Sequence, residues 1–180
     1  KLIEECMLLA NVAAAEYALE NDIPMLYRVH EPPEFSRIQK VREYVKLLGL
    51  PFPEQPTQKD YQAVIEATKE RIDAPSIHAV LLRSMMQAYY GANNAGHFGL
   101  AYDAYTHFTS PIRRYPDLLL HRAIKAHLKQ KPSPLSGAAL DDAGEHFSQT
   151  ERRADEASRS VTTWLKCHYM QQHLGEEFIG

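Results

Sequence analysis

Apolar positions recur at helical spacing in six stretches of this chain and alternate like strands in two. In the opening segment Ile3, Met7, Ala10 and Ala14 form one stripe, and Leu8, Val12, Ala15 and Leu19 form a second. Most of that circumference is apolar, which predicts a largely buried helix ended by Asn21, Asp22 and Pro24. Met25 to His30 then alternates as a short strand, broken by Pro32 and Pro33. Helices are predicted at about Ser36 to Leu48, closed by Gly49, and at about Lys59 to Arg71, with the proline-rich LPFPEQPT as a surface connection. Ser76 to Tyr90 predicts another helix, carried by Ile77, Val80, Leu81, Met85 and Ala88 and closed by the turn GANNAG. His97 to Tyr102 predicts a second strand, with Gly99 where another group approaches the backbone closely.

The stretch THFTSPIRRYPDL follows. Thr109 or Ser110 suits a helix N-cap and Pro111 the first helical position, which places Arg113 and Arg114 in a first turn and leaves Pro116 to impose a kink or a restart. Leu140 to Leu174 predicts the longest helix, with Phe147, Ala154, Ala157, Val161, Trp164 and Leu165 on its apolar positions and Asp155 and Arg159 spaced for an ion pair. No repeat or low-complexity tract divides the chain, so residues 1–180 read as one unit without an internal boundary. The class is α+β and mainly helical, with five or six helices and two or three short strands whose remaining sheet lies outside this chain.

Composition narrows the function classes. With 180 residues, 44% hydrophobic and 24% charged, the chain can build one sizeable core. No apolar run approaches the roughly 20 residues of a membrane span, and the acidic residues of the first helix exclude a signal peptide there. The chain begins inside an element and without an initiator methionine, as a piece of a longer protein would. Cys6 and Cys167 lack metal-ligand spacing and read as free thiols, which points to the cytoplasm. The net charge of -3 argues against a protein that simply coats nucleic acid. Its distribution matters more: Thr106 to Gln130 holds Arg113, Arg114, Arg122, Lys125 and Lys129 against the single acid Asp117, so a local excess of +4 sits in a background of -7.

Two arginines in a helix's first turn oppose the positive end of the helix dipole, so an anion is expected between them. A carboxylate of the chain satisfies that, and so does a phosphate, which arginine's planar fork grips on two sides. Tyr102, Tyr105, His107, Phe108 and Tyr115 add ring faces of the kind that hold single-stranded nucleic acid, although neighbouring aromatics are equally ordinary core. Local chemistry leaves the two readings level.

HFGLAYDAYTHFTSPIRRYPDLLLHRAIK, together with IEECMLLANVAAAE near the start and ERRADEASRSVTTWLKCHYM near the end, resembles the ribonuclease II/R family over essentially the whole chain, with the wording of its ribonuclease R branch. The resemblance implies the carboxy-terminal half of an RNB catalytic domain in a 3′-to-5′ exoribonuclease. Such an enzyme releases nucleoside 5′-monophosphates from single-stranded RNA, using divalent metal, Mg2+, held by an aspartate cluster. It implies that Arg113 approaches the scissile phosphate, that Arg114 binds an adjacent RNA phosphate or an internal acid, that Ser110 and Thr109 donate to the RNA or cap the helix, and that Tyr105 contacts RNA. Tyr115, Asp117, His121 and Arg122 match the family wording and take supporting roles; Asp117 and His121 are four apart on a helix. In EECMLLAN, Glu4 is the residue placed near the RNA 3′ end. It shares a helical face with Asn11, and a buried Glu4–Asn11 pair is the equally weighted structural reading.

The sequence departs from the family in what it lacks. The closely spaced D-x-D-D metal cluster, the tyrosine that stacks on the terminal base and the OB-fold RNA-binding domains are absent from these 180 residues. Asp141 and Asp142 resemble the cluster superficially but read as a cap in a loop leading into the last helix. The expectation is that this chain supplies the arginine side of an active site, is inactive alone, and binds no metal itself, with Mg2+ ligands and the RNA-binding domains in the remainder of the parent chain. A non-catalytic RNA-binding relative and a helical protein-interaction module are the alternatives.

Overall fold

The computed structural model describes residues 1–178. Six α-helices and two strands appear among them: α1 (Leu2–Glu20), β1 (Tyr27–Val29), α2 (Phe35–Leu47), α3 (Gln58–Thr68), α4 (Ala74–Ser84), β2 (Tyr89–Gly91), α5 (Tyr115–Leu128) and α6 (Ala138–Met170). The strands pair antiparallel with Tyr27 opposite Gly91 and Val29 opposite Tyr89, so α2, α3 and α4 form an insertion between the two arms of one ribbon.

That insertion has its own core of Ile38, Val41, Val45, Phe52, Tyr61, Val64, Ile77 and Leu81. A separate core joins α1 to β1 and α5 through Ala14, Ala15, Ala18, Met25, Val29, Leu120 and Ala123. A third, of Leu26, Tyr90, Leu119 and Leu140, seats the start of α6 on β2. Here small side chains permit close approach: a Cβ on Gly144 would lie 2.8 Å from the Tyr90 carbonyl oxygen. The neighbouring Ser148 Oγ accepts the Tyr90 N–H at 2.8 Å and donates to the Gly144 carbonyl at 2.8 Å, satisfying an edge amide that the helix covers.

Several sequence expectations need correction. The opening helix is not largely buried: Lys1 to Met7 are exposed, and only Asn11, Ala14, Ala15 and Ala18 reach the interior. α4 ends at Ser84, with Met85 already extended, because Tyr89 to Gly91 are taken into the ribbon; propensity yields there to tertiary pairing. His97 to Tyr102 is a tight turn, not a strand. His97 bridges both His30 and Tyr102, and Phe98–Leu100 forms one 3-10 turn. Gly99 does mark a close approach, since its amide donates to His30 Nδ1 at 2.9 Å. Asp141 and Asp142 lie inside α6 on exposed positions, and neither caps it, the N-cap being Gly137. Asp155 and Arg159 form no ion pair among the described residues.

α6 itself is unusual in its exposure. Of its 33 residues only Leu140, Gly144 and Ser148 are buried, and every residue from Arg152 to Met170 is exposed. Val161, Trp164 and Leu165, at 58%, 63% and 53% exposure, stand on one helical face with His168, whose ring stacks on Trp164. No helix of the described residues is long and apolar enough to cross a membrane.

Candidate functional site

The basic stretch does not begin a helix where its sequence suggests. Ser110 to Arg114 form an isolated turn, in which the Ser110 carbonyl accepts the amides of Arg113 and Arg114 at 3.3 and 3.1 Å. Arg114 is then extended, and α5 starts at Tyr115 with Pro116 in its first turn. A helix begun at Pro111 would have carried Pro116 in its interior, without an amide and with its ring against the preceding turn. Restarting at Tyr115 converts that liability into a favourable N-terminal proline. Neither Thr109 nor Ser110 caps the helix by its side chain, and the first turn holds an acid, Asp117, instead of the two arginines.

Asp117 is fully buried and is where the arginine pair divides. Arg114 grips it with Nε at 2.8 Å from Oδ2 and Nη2 at 2.8 Å from Oδ1, and the Ser110 amide donates to Oδ1 at 2.8 Å. Arg113 is exposed, and its side chain has no hydrogen bond or ion pair among the described residues. Thus the carboxylate answers for Arg114, and Arg113 is left facing outward from a turn that its neighbour pins.

The strand-like lead-in to the turn is held equally firmly. Asn11, buried on α1, accepts the Phe108 amide at 2.9 Å and the Thr109 amide at 3.2 Å through Oδ1, and its Nδ2 donates to the Tyr105 hydroxyl at 2.9 Å. His121 on α5 donates from Nε2 to the Phe108 carbonyl at 2.9 Å, with its ring stacked on Phe108 at 4.1 Å. The Thr106 hydroxyl donates to the Leu26 carbonyl at 2.6 Å, tying the segment to β1. Thr109 Oγ1 is buried without a hydrogen-bond partner among the described residues.

Beneath the turn lies a layer of rings. Tyr105 packs against His97, Tyr102 and His107, and the Tyr90 hydroxyl meets His107 Nδ1 at 2.9 Å. Burial first, then the nearby Arg114 and Arg28 charges, push the His107 pKa down to about 3; burial and the adjacent His30 push His97 down to about 4. Burial raises the Tyr90 hydroxyl to about 12. Both histidines are therefore neutral near pH 7. Arg28 lies over the Tyr90 ring at 4.7 Å and pairs with Glu151 on α6 at 2.6 Å.

The sequence-derived residues fall into three groups. Arg113, Arg114, Ser110, Thr109, Asn11, Asp117 and His121 converge on the turn. Tyr115, half exposed, stands beside it, with Arg122 donating to its hydroxyl at 3.2 Å. Tyr105 is 5% exposed and enclosed by other rings, so stacking on a ligand is closed to it as it stands. Glu4 is exposed near the start of α1 while Asn11 is buried; no Glu4–Asn11 pair forms, and Asn11 spends its hydrogen bonds on the turn. Asp117 and His121 do not pair with one another either, each having a different partner. Sequence reasoning missed Tyr90, Arg28 and Glu151, which meet across long separations that no local spacing signals. Among the described residues no group of three or more His, Cys, Asp or Glu side chains converges as a metal site.

Residues 1–130 match the RNB domain, and the chain belongs to the RNB-domain family. Over an alignment of 194 residues it is 50% identical to ribonuclease R of Vibrio cholerae serotype O1, covering 100% of this chain and 24% of that protein. Among solved structures, Mycoplasma genitalium RNase R in complex with ribose-methylated single-stranded RNA superposes with a TM-score of 0.86 at 28% identity, over 97% of this chain and 29% of that one. Yeast Ssd1, a pseudonuclease, superposes with a TM-score of 0.71 at 26% identity, over 81% of this chain and 19% of that one. The chain spans about a quarter of the length of the curated relatives it matches.

Proposed function

We propose that this chain supplies the arginine side of the active site of a processive 3′-to-5′ exoribonuclease, which hydrolyses single-stranded RNA to nucleoside 5′-monophosphates in the cytoplasm. The observation that carries the reading is the outward Arg113, unpaired among the described residues, on a turn fixed by Asn11, Asp117, Arg114 and His121. A guanidinium held this way stabilises the charge that builds on phosphoryl oxygens without having to reorganise when the reaction occurs. Resemblance to ribonuclease R supports RNA as the source of that phosphate.

Mg2+ is the metal of this proposal, and the described residues do not fit it: they hold no converging ligand set. Its ligands belong to the remainder of the parent chain, as do the RNA-binding domains. The exposed apolar face of α6 supports a cover supplied by that remainder, since a contiguous patch with Trp164, Leu165 and Val161 is costly to leave in water. Arg114, with Asp117, holds the turn and leaves Arg113 as its free cation; Ser110 contributes its amide to the same carboxylate.

The test is an assay of the purified 180-residue chain with magnesium and a 3′-tailed RNA, beside the parent enzyme. The parent is expected to release mononucleotides and the chain alone to release none; processive hydrolysis by the chain would overturn the division of the site. The likeness to yeast Ssd1 favours one second reading, an RNA-binding relative that has lost catalysis. A parent that binds RNA but shows no turnover would select it.

A further inference from the structure

Beneath the turn, Arg28 sits on β1 opposite Tyr90, with its guanidinium 4.7 Å from the centroid of that ring. Its own amide donates to the Tyr105 carbonyl at 2.8 Å, which fixes the backbone from which the side chain projects. The side chain is 15% exposed and gives Nη1 to Glu151 Oε2 at 2.6 Å, joining residues 123 positions apart. One turn earlier on α6, the Ser148 contact with the Tyr90 amide holds that helix in place. Glu151 also lines a cavity of about 270 Å3 beside the turn, whose walls carry Arg113 and Arg114. Three guanidinium groups thus stand around one carboxylate, whose Oε1 has no hydrogen bond among the described residues.

The pair that forms is the one that immobilises least. Arg114 is committed to Asp117 by two bonds of 2.8 Å. Arg113 is exposed, so pairing it would order a long side chain in water for little Coulomb gain. Arg28 is already held by its ring and backbone contacts and is shielded from solvent, so its pair with Glu151 is favoured on both counts. Without Arg28 the order changes, because Arg113 is then the cation in the cavity that no carboxylate among the described residues holds.

We propose that Arg28 is a positioning residue that withholds Glu151 from Arg113 and so keeps the outward arginine available for a phosphate. This inference rests on the exoribonuclease reading and adds to it a residue that acts through Glu151. A Glu151–Arg113 pair would have to open before the guanidinium met charge building on phosphoryl oxygens, and the carboxylate would itself repel that charge. Holding the acid on Arg28 removes both costs from the reaction. Asp117 and Glu151 are in this way each matched to an arginine other than Arg113.

The test compares Arg28→Met with the double variant Arg28→Met/Glu151→Gln in the parent enzyme, by steady-state hydrolysis of a 3′-tailed RNA and by crystal structures. Methionine keeps an apolar stem on the Tyr90 ring and removes the charge; kcat is expected to fall about tenfold with KM nearly constant, the size of one charge-assisted contact. Adding Glu151→Gln is expected to restore kcat to within about twofold of the original, since no carboxylate is left to capture Arg113. A residue that merely supported the fold would not be relieved by changing its partner. In the crystal structure of Arg28→Met, Glu151 is expected within about 4 Å of the Arg113 guanidinium. Arg28→Gln takes the same measurements if the methionine variant does not fold. An unchanged kcat in the single variant, a double variant no faster than the single, or a Glu151 that stays clear of Arg113 once Arg28 is replaced would overturn the proposal. A parent that hydrolyses no RNA discards the nuclease reading, and the variant's crystal structure alone then decides whether Arg28 withholds Glu151.

Discussion

Arg114 closes a two-pronged grip on the buried Asp117, at 2.8 Å on each side, and thereby leaves Arg113 as the free cation of the pair. Adjacent residues of one type thus take different tasks, because the carboxylate lies three residues after Arg114 and already holds the Ser110 amide. Removing the acid strands a partly buried guanidinium and an amide. Asp117→Ala is expected to cost about 3–5 kcal/mol of folding stability, the usual range for breaking a buried pair on one side. Denaturant unfolding of this chain measures it, and a loss under 1 kcal/mol would show that the grip does not hold the turn.

Arg113 is expected to behave oppositely. Being exposed and unpaired among the described residues, it contributes little to stability, so Arg113→Lys should leave the unfolding free energy of the parent within about 0.5 kcal/mol of the original. Turnover of RNA should fall about 100-fold or more, with KM nearly constant, if the guanidinium acts on the reacting phosphate. Equal changes in binding and turnover would make it an anchor for RNA.

Asn11 couples α1 to the turn. Asn11→Ala unpairs the Phe108 and Thr109 amides and the Tyr105 hydroxyl, a loss expected at about 2–4 kcal/mol. Amide hydrogen exchange at Phe108 and Thr109 should accelerate specifically, which a uniformly destabilised fold would not show.

The outer face of α6 gives a context-dependent prediction. Trp164→Asp changes a residue that is 63% exposed in this chain and should leave its stability within about 0.5 kcal/mol. In the parent the same change should destabilise by about 2 kcal/mol or more, since it places a charge where an apolar partner is expected to cover the helix. Similar small effects in both would leave that face uncovered.

Acid should weaken the ring layer beneath the turn. His107 has a folded pKa of about 3 and His97 of about 4, both below the roughly 6.5 of the unfolded chain. Between those values the unfolded state binds more protons, so stability is full above pH 6.5 and is lost as pH falls toward the folded values. The fall from pH 6.5 to 5, above most carboxylate titration, should flatten in His107→Asn when thermal unfolding is followed across that range.

The local reading of the chain succeeded where neighbours in sequence are neighbours in space. Helical periodicity located α2, α3 and the long α6 within a few residues, because those elements bury faces whose pattern is written along the helix itself. It overextended α4, since the end of that segment is claimed by a strand partner 62 positions away, Arg28 opposite Tyr90. Likewise the motif TSPIRR marked the turn, but its two arginines were indistinguishable by spacing.

By itself, then, the sequence determined the family, the mainly helical class and the concentration of positive charge around TSPIRR. Only the tertiary structure decided that the helix starts at Tyr115 with Pro116 in its first turn, that Arg114 belongs to Asp117 and that Asn11 and His121 fix the backbone before Arg113. The physical reason is that periodicity and charge are properties of short segments, whereas a buried polar group chooses its partner by three-dimensional distance, and α1 reaches the turn from nearly a hundred residues away.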